Sequence, residues 1–199
     1  MINRTILWCG SCLCLALASS VRAEGDGTRS QYLSWKSFKV GTSIRYEDNS
    51  NPQILRYKTE KLVALTDDSV TLELREGTIT ADGTKKEKQP ETYQADANEP
   101  DGPPIINPHA VLTQGDEDIL VAGRKVHAHW VKKVIKDYDP IAKDNVTINE
   151  TDWKSDEVPG GEARFKDVTV HDSGNIEQFD WNVVEIDELG ATTNPAPTP

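Results

Sequence analysis

The sequence predicts a mainly β protein: a single antiparallel, strongly curved sheet or an open barrel, with one short N-terminal helix and a β-sandwich as the alternative. Apolar and polar residues alternate along several segments, most clearly at Val70, Leu72 and Leu74, as in a strand with one buried face. Helical periodicity is confined to residues 30–38. About seven to ten such strands make a twisted sheet that must curl or stack to cover its apolar face.

The first 23 residues have the composition of a secretory signal peptide. Arg4 supplies a positive charge, residues 6–18 are mostly apolar, and a cut after Ala23 leaves small or aliphatic residues at the required positions. The apolar run is shorter than the ~20 residues of a membrane-spanning helix. We therefore expect an exported chain, periplasmic or extracellular, cleaved after Ala23 and without an integral membrane segment.

Cleavage removes all three cysteines, Cys9, Cys12 and Cys14. The mature chain would fold without disulfides, and cysteine nucleophiles, thiolate metal sites and redox motifs are excluded. Lipidation of a cysteine is the less favoured alternative, because neither Cys12 nor Cys14 has an aliphatic residue three positions before it. Cleavage also removes two arginines, which changes the formal net charge from −11 to −13. We expect no nucleic-acid partner, because phosphates carry the same sign.

The predicted β domain covers residues 24–189, and a disordered tail follows over 190–199. A Pro-rich loop excursion is predicted over 81–110, with an edge strand near 92–94, because five of the eleven prolines fall there. The other predicted strands cover residues 40–46, 54–65, 70–74, 119–121, 126–136, 146–153, 163–171 and 176–187.

The last predicted strand changes its phase. Phe179, Trp181 and Val183 share one face, whereas Val184 and Ile186 share the other. This switch predicts a β-bulge or burial on both sides of the strand.

Two histidines two positions apart form the candidate metal site. On a strand, His127 and His129 point to the same side, and such His-x-His pairs occur in zinc sites. Val126, Ala128 and Trp130 form the apolar side of this segment, which places the histidines on the opposite, polar face. A third ligand would have to come from His109, His171 or a distant acidic residue, and no spacing predicts it.

The most distinctive string runs from residue 153 to residue 161. Trp153 offers a large anchor at a strand end, and Pro159-Gly160-Gly161 turns the chain with glycines that permit positive φ. A corner that defines the fold is the favoured interpretation, and a corner that contacts a ligand is the alternative.

This string resembles a group of exported bacterial proteins of unknown function, common in planctomycete-type genomes, that carry a tryptophan followed by Ser-x-x-Val-Pro-Gly-Gly. The matching residues here are Trp153, Ser155, Val158, Pro159, Gly160 and Gly161. Residues 35–42 and 118–126 resemble two further motifs of that group. More remotely, the pattern is similar to periplasmic lipid- and lipoprotein-carrier folds, in which a curved sheet wraps an apolar concavity. That similarity implies a role in binding an apolar ligand, and no catalytic residue carries over from it.

The leading hypothesis is an exported, non-enzymatic β protein of the periplasm or cell envelope that binds a lipid-like ligand or an envelope protein, with no cofactor. Its ligand contacts would come from Trp35, Trp130, Trp153 and Trp181, for which plain core packing is the alternative. A second hypothesis is a metal-dependent hydrolase that uses His127 and His129. A third is a structural protein with no small-molecule site. The oligomeric state stays open.

Overall fold

The computed structural model describes residues 28–98 and 110–188, with side chains from residue 31 onward. The predicted signal peptide, the tail and part of the Pro-rich loop lie outside these ranges. The described residues form helix α1 (Thr28–Trp35) and ten strands. The strands are β1 (Ser43–Asp48), β2 (Ile54–Leu65), β3 (Ser69–Thr80), β4 (Lys85–Glu87), β5 (Glu91–Asp96), β6 (Val111–Val121), β7 (Arg124–Asp139), β8 (Asp144–Lys154), β9 (Glu162–His171) and β10 (Ile176–Asp187).

All ten strands belong to one antiparallel sheet, in the order β4-β3-β2-β1-β10-β9-β8-β7-β6. Strands β4 and β5 pair with the same edge of β3. Strand β5 lies beside the first half of β3, and β4 lies beside the second half. Except for β5 and the junction of β1 with β10, neighbours in the sheet are also neighbours in the chain. The predicted fold class is therefore confirmed: one open antiparallel sheet with a short N-terminal helix, and not a sandwich of two sheets.

The sheet is strongly curved. In a flat sheet, β6 and β10 would lie about 19 Å apart, because four strand spacings separate them. Instead, the backbone N–H of Ala122, in the turn between β6 and β7, donates to the carbonyl oxygen of Val183 in β10 at 3.3 Å. The strands from β10 to β6 thus curl back toward their own beginning.

Three β-bulges accompany this curvature. Arg45 pairs with Glu185 and the next residue, Tyr46, pairs with Val183, so that Val184 is the extra residue in β10. Val183 is buried and Val184 is exposed, which confirms the bulge predicted from the phase switch. In the same way, Val63 is the extra residue where β2 pairs with β3, and Ala163 is the extra residue where β9 pairs with β8. Each bulge bends its strand and increases the local twist.

The core lies where α1 and the corner at residues 155–161 cover the sheet. Trp35, at the end of α1, is completely buried, and the ring of Phe38 packs against it edge-on. The principal buried side chains around Trp35 are Tyr32, Ile44, Tyr46, Leu62, Val70, Leu72, Val158 and Val183. A short helix suffices because it has to cover only this part of the sheet.

Several strands extend beyond their predicted bounds, β3 by six residues to Thr80, and two edge strands differ most. Strand β6 begins at Val111, eight residues before the predicted start, and β4 lies inside the segment predicted as loop. Both are edge strands in the described sheet, and most of their side chains are exposed on both faces. Because neither face is buried, no alternation of apolar and polar residues marks them in the sequence.

Candidate functional site

A groove of about 430 Å³ opens beside the point where the sheet curls back on itself. One wall is the edge of β6 that pairs with no strand in the described ranges, and the other wall is formed by β9 and β10. The lining residues are Asp118, Ile119, Leu120, Ala163, Arg164, Asn182 and Val183. The groove therefore follows from the curvature, since β9 and β10 are three and four strands away from β6 in the sheet order.

Arg164 anchors the polar side of the groove. Its Nε lies 3.1 Å from Oδ1 of Asp180 and its Nη2 lies 2.8 Å from Oδ2, so that the two side chains form a bidentate ion pair. Asn182 donates from Nδ2 to Oδ1 of Asp180 at 3.0 Å. The ring of Trp153 lies over the guanidinium, 5.1 Å from Cζ to the ring centroid. These contacts hold Arg164 in place and neutralise its charge.

Four of the other five lining residues are aliphatic. Ala163 and Val183 are buried at the base, while Leu120 is 77% exposed at the rim. Asp118 completes the lining, and its carboxylate contacts Lys125 at 2.7 Å and His127 at 3.0 Å. These two partners, Lys125 first, lower the pKa of Asp118. The groove thus combines aliphatic surface with polar groups that already have partners.

The four tryptophans predicted as ligand contacts do not share one surface. Trp35 is completely buried in the core, and Trp181 lies half-buried on the face of β10 opposite to that of Asn182. Trp130 and Trp153 are cross-strand neighbours on one face of β7 and β8. Trp130 covers Gly115 of β6, so that only Trp153, through its contact with Arg164, borders the groove.

His127 and His129 lie on the exposed face of β7, opposite to that of the buried Val126 and Ala128, as the alternation predicts. Each ring contacts a carboxylate directly across the strand pair, His127 with Asp118 and His129 with Asp116. The hydrogen bond to Asp118 raises the pKa of His127. Among the residues that the structure describes, no group of three or more His, Cys, Asp or Glu is placed to hold a metal ion.

The corner at residues 155–161 closes on itself through backbone hydrogen bonds. Ser155 donates its N–H to the carbonyl of Gly161 at 2.8 Å, and Gly161 donates to that of Val158 at 2.8 Å. Gly160 and Gly161 have φ values of 80° and 76°, the left-handed region that favours glycine.

This corner also joins distant parts of the chain. A Cβ on Gly160 would lie 3.2 Å from Nε1 of Trp35, and Val158 is buried in the core. On its other side, the carboxylate of Glu157 accepts the backbone N–H of His127 at 3.0 Å, and its carbonyl accepts from Arg124. The corner therefore lies between α1 and the β6–β7 hairpin, and its residues are absent from the lining of the groove.

Sequence reasoning missed the polar residues of the groove. Arg164, Asp180 and Asn182 occupy ordinary polar positions of two alternating strands, so that nothing marks them individually. A weak signal was available, because neighbouring antiparallel strands with opposite charges on one face often form cross-strand pairs.

Two solved structures are similar to this chain. One, from Bacteroides fragilis, is described as an exported protein with a YmcC-like fold; it has a TM-score of 0.44 and 8% identity, and the match covers 76% of this chain and 97% of that one. The other, from Parabacteroides distasonis, is described as a lipoprotein; it has a TM-score of 0.43 and 12% identity, with 75% and 96% covered. No protein-family model matches the chain, and no curated protein matches it significantly.

A helix of the length and apolar character needed to cross a membrane is not found among the described residues.

Proposed function

We propose that this chain is an exported, non-enzymatic β protein of the cell envelope that holds a small amphipathic ligand in the groove between β6 and strands β9 and β10. The observation that supports a ligand is the groove itself. Its volume of about 430 Å³ falls within the range of about 300–1,000 Å³ that is typical of small-molecule sites.

The lining favours a lipid-like ligand with a hydrogen-bonding head and little net charge. Ile119 and Leu120 offer apolar contact above the buried Ala163 and Val183, so that an aliphatic part of the ligand would leave water. The positive charge of Arg164 is already neutralised by Asp180. A strongly anionic ligand would have to compete with that carboxylate.

Binding is a better description of the groove than catalysis. A nucleophile or a general base has to be available to the substrate. In this groove, Arg164 is held by Asp180 and by the ring of Trp153, and Asp118 is held by Lys125 and His127. These contacts suit a rigid surface that positions a ligand.

A fluorescent fatty alcohol, 11-(dansylamino)undecan-1-ol, tests the ligand site, because it has an aliphatic chain and an uncharged hydroxyl head. We expect saturable binding at one site of the purified chain that begins at Glu24. Leu120→Asp should weaken it about tenfold or more, since a charge at the rim disfavours the aliphatic chain and each 1.4 kcal/mol is a factor of ten. Ile141→Asp is the matched control, because Ile141 is 84% exposed and lies outside the groove.

Equal affinities for both variants, or no saturable binding at all, would contradict the ligand site and favour a structural role. Export is tested separately by the intact mass of the protein recovered from the envelope of its own organism. We expect a chain that begins at Glu24. A chain that retains Met1, or one that carries lipid on a cysteine, would contradict the predicted cleavage.

A further inference from the structure

The two exposed histidines of β7 share an arrangement that lies beside the groove, and Asp118 belongs to both. Nδ1 of His127 lies 3.0 Å from Oδ1 of Asp118, and Nδ1 of His129 lies 3.0 Å from Oδ1 of Asp116. Both pairs face each other directly in the β6–β7 register. The same Asp–His contact is therefore repeated two residues further along the hairpin.

This contact determines which ring nitrogen is available. A carboxylate only accepts hydrogen bonds, so that Nδ1 carries the proton in each neutral ring and the lone pair is on Nε2. Nε2 lies on the side of the ring away from the carboxylate, and the side chains of His127 and His129 are 66% and 48% exposed. Metal-binding histidines in proteins commonly donate their other N–H to a carboxylate in this way.

We propose that His127 and His129 form a surface chelate for a divalent transition-metal ion, which they bind through their two Nε2 atoms. Asp118 and Asp116 are positioning residues that hold the two rings in one tautomer and orientation. Because the described residues offer no third ligand there, water completes the coordination. Such an open site suits reversible metal binding.

The two imidazole ligands determine which metal ions should bind most tightly. Imidazole nitrogen suits copper, nickel and zinc, and the general order of affinity places Cu²⁺ above both Ni²⁺ and Zn²⁺. Equivalent atoms of residues two apart on a strand are separated by about 6.7 Å. Two nitrogens at about 2.0–2.1 Å from one metal are at most about 4 Å apart, so that the exposed rings lean toward each other on binding.

Calorimetric titration with Cu²⁺ and with Zn²⁺ tests the site in the tag-free chain that begins at Glu24 and so lacks Cys9, Cys12 and Cys14. Electron paramagnetic resonance of the Cu²⁺ complex counts its nitrogen ligands. We expect one Cu²⁺ with two imidazole nitrogens, and weaker binding of Zn²⁺. His127→Gln and His129→Gln should each remove one nitrogen and weaken binding at least tenfold. Asp187→Asn, which removes an exposed carboxylate on β10, should leave both readouts unchanged.

The Asp118→Asn variant tests whether Asp118 positions the ring of His127 without binding the metal itself. We expect about a 10–100-fold loss of affinity, as for other residues that orient a metal ligand, with the two nitrogens retained in the spectrum. Circular dichroism checks that each variant is folded, and these surface changes leave the core intact. Lack of Cu²⁺ binding by the parent chain, or a two-nitrogen spectrum that survives in the His127→Gln/His129→Gln double variant, would overturn the proposal.

Discussion

Trp153 donates its indole N–H to Oε1 of Glu117 at 2.6 Å, although β8 and β6 are not neighbours in the sheet. Strand β7 lies between them, and the residue that pairs with Glu117 there is Ala128, which is completely buried. The small alanine side chain leaves room for the two longer side chains to meet above β7. The contact therefore links β8 to β6 across the face of β7.

This bond should contribute measurably to stability. We expect Trp153→Phe and Glu117→Ala to be coupled by about 1 kcal/mol in a double-mutant cycle, at the lower end for a hydrogen bond to a charged group because Glu117 is exposed. Urea unfolding of the four proteins measures the coupling. The same cycle with Asp116→Ala, which removes a carboxylate on the opposite face, should be additive. Additivity in the Glu117 cycle would contradict the bond.

Gly77 and Gly115 each allow close approach of an aromatic ring, but with different surroundings. A Cβ on Gly115 would lie 2.8 Å from Cζ2 of Trp130, whereas one on Gly77 would lie 2.6 Å both from Cζ of Tyr57 and from the backbone oxygen of Lys86. Alanine at either position should cost about 1–3 kcal/mol through overpacking.

The two glycines should differ in whether the destabilisation by alanine disappears when the neighbouring aromatic residue is replaced by leucine. In a Trp130→Leu background, Gly115→Ala should become neutral or slightly stabilising, because the clash is removed and the unfolded chain loses freedom. In a Tyr57→Leu background, Gly77→Ala should still destabilise, since the backbone oxygen from β4 remains. Urea midpoints measure both cycles, and rescue at Gly77 equal to that at Gly115 would show that the backbone contact does not matter.

Asp167 is the carboxylate whose ionisation opposes folding. Burial, and then the charge of Glu150 directly across the β8–β9 pair, raise the pKa of Asp167 to about 6, against the partial compensation of a hydrogen bond from Thr169. Because this pKa is above that of the unfolded chain, the folded state favours the protonated form. The stabilising contribution is complete below about pH 4 and is lost as the pH rises through about 6.

We therefore expect Asp167→Asn to stabilise the protein by about 1–2 kcal/mol at pH 7.5 and by much less at pH 4. This is below the full value for such a shift, because water reaches part of the side chain. Unfolding free energies at both pH values, with the exposed Asp187→Asn on β10 as control, measure the difference. An equal effect of Asp167→Asn at the two pH values would exclude Asp167 as the titrating group.

Most of the sheet could be predicted from the local alternation of apolar and polar residues. The features that could not be predicted leave no such alternation in the sequence. The bulge at Val184 was visible because apolar residues change face there, and the opposite faces of Ala128 and His129 were visible for the same reason. The first part of β6 was not visible, because an edge strand exposed on both faces carries no alternation. The groove was not visible either, since its walls come together only through the curl.

The sequence by itself determined which face of each well-patterned strand points inward, because side chains alternate with a period of two whatever surrounds them. It also determined that one apolar face had to be covered. Only the tertiary structure decided that the covering comes from curvature, from α1 and from the corner at residues 155–161. The hydrogen bond from Ala122 to Val183 joins residues about 60 positions apart in the chain, and this long-range pairing, which creates the groove, leaves no local pattern.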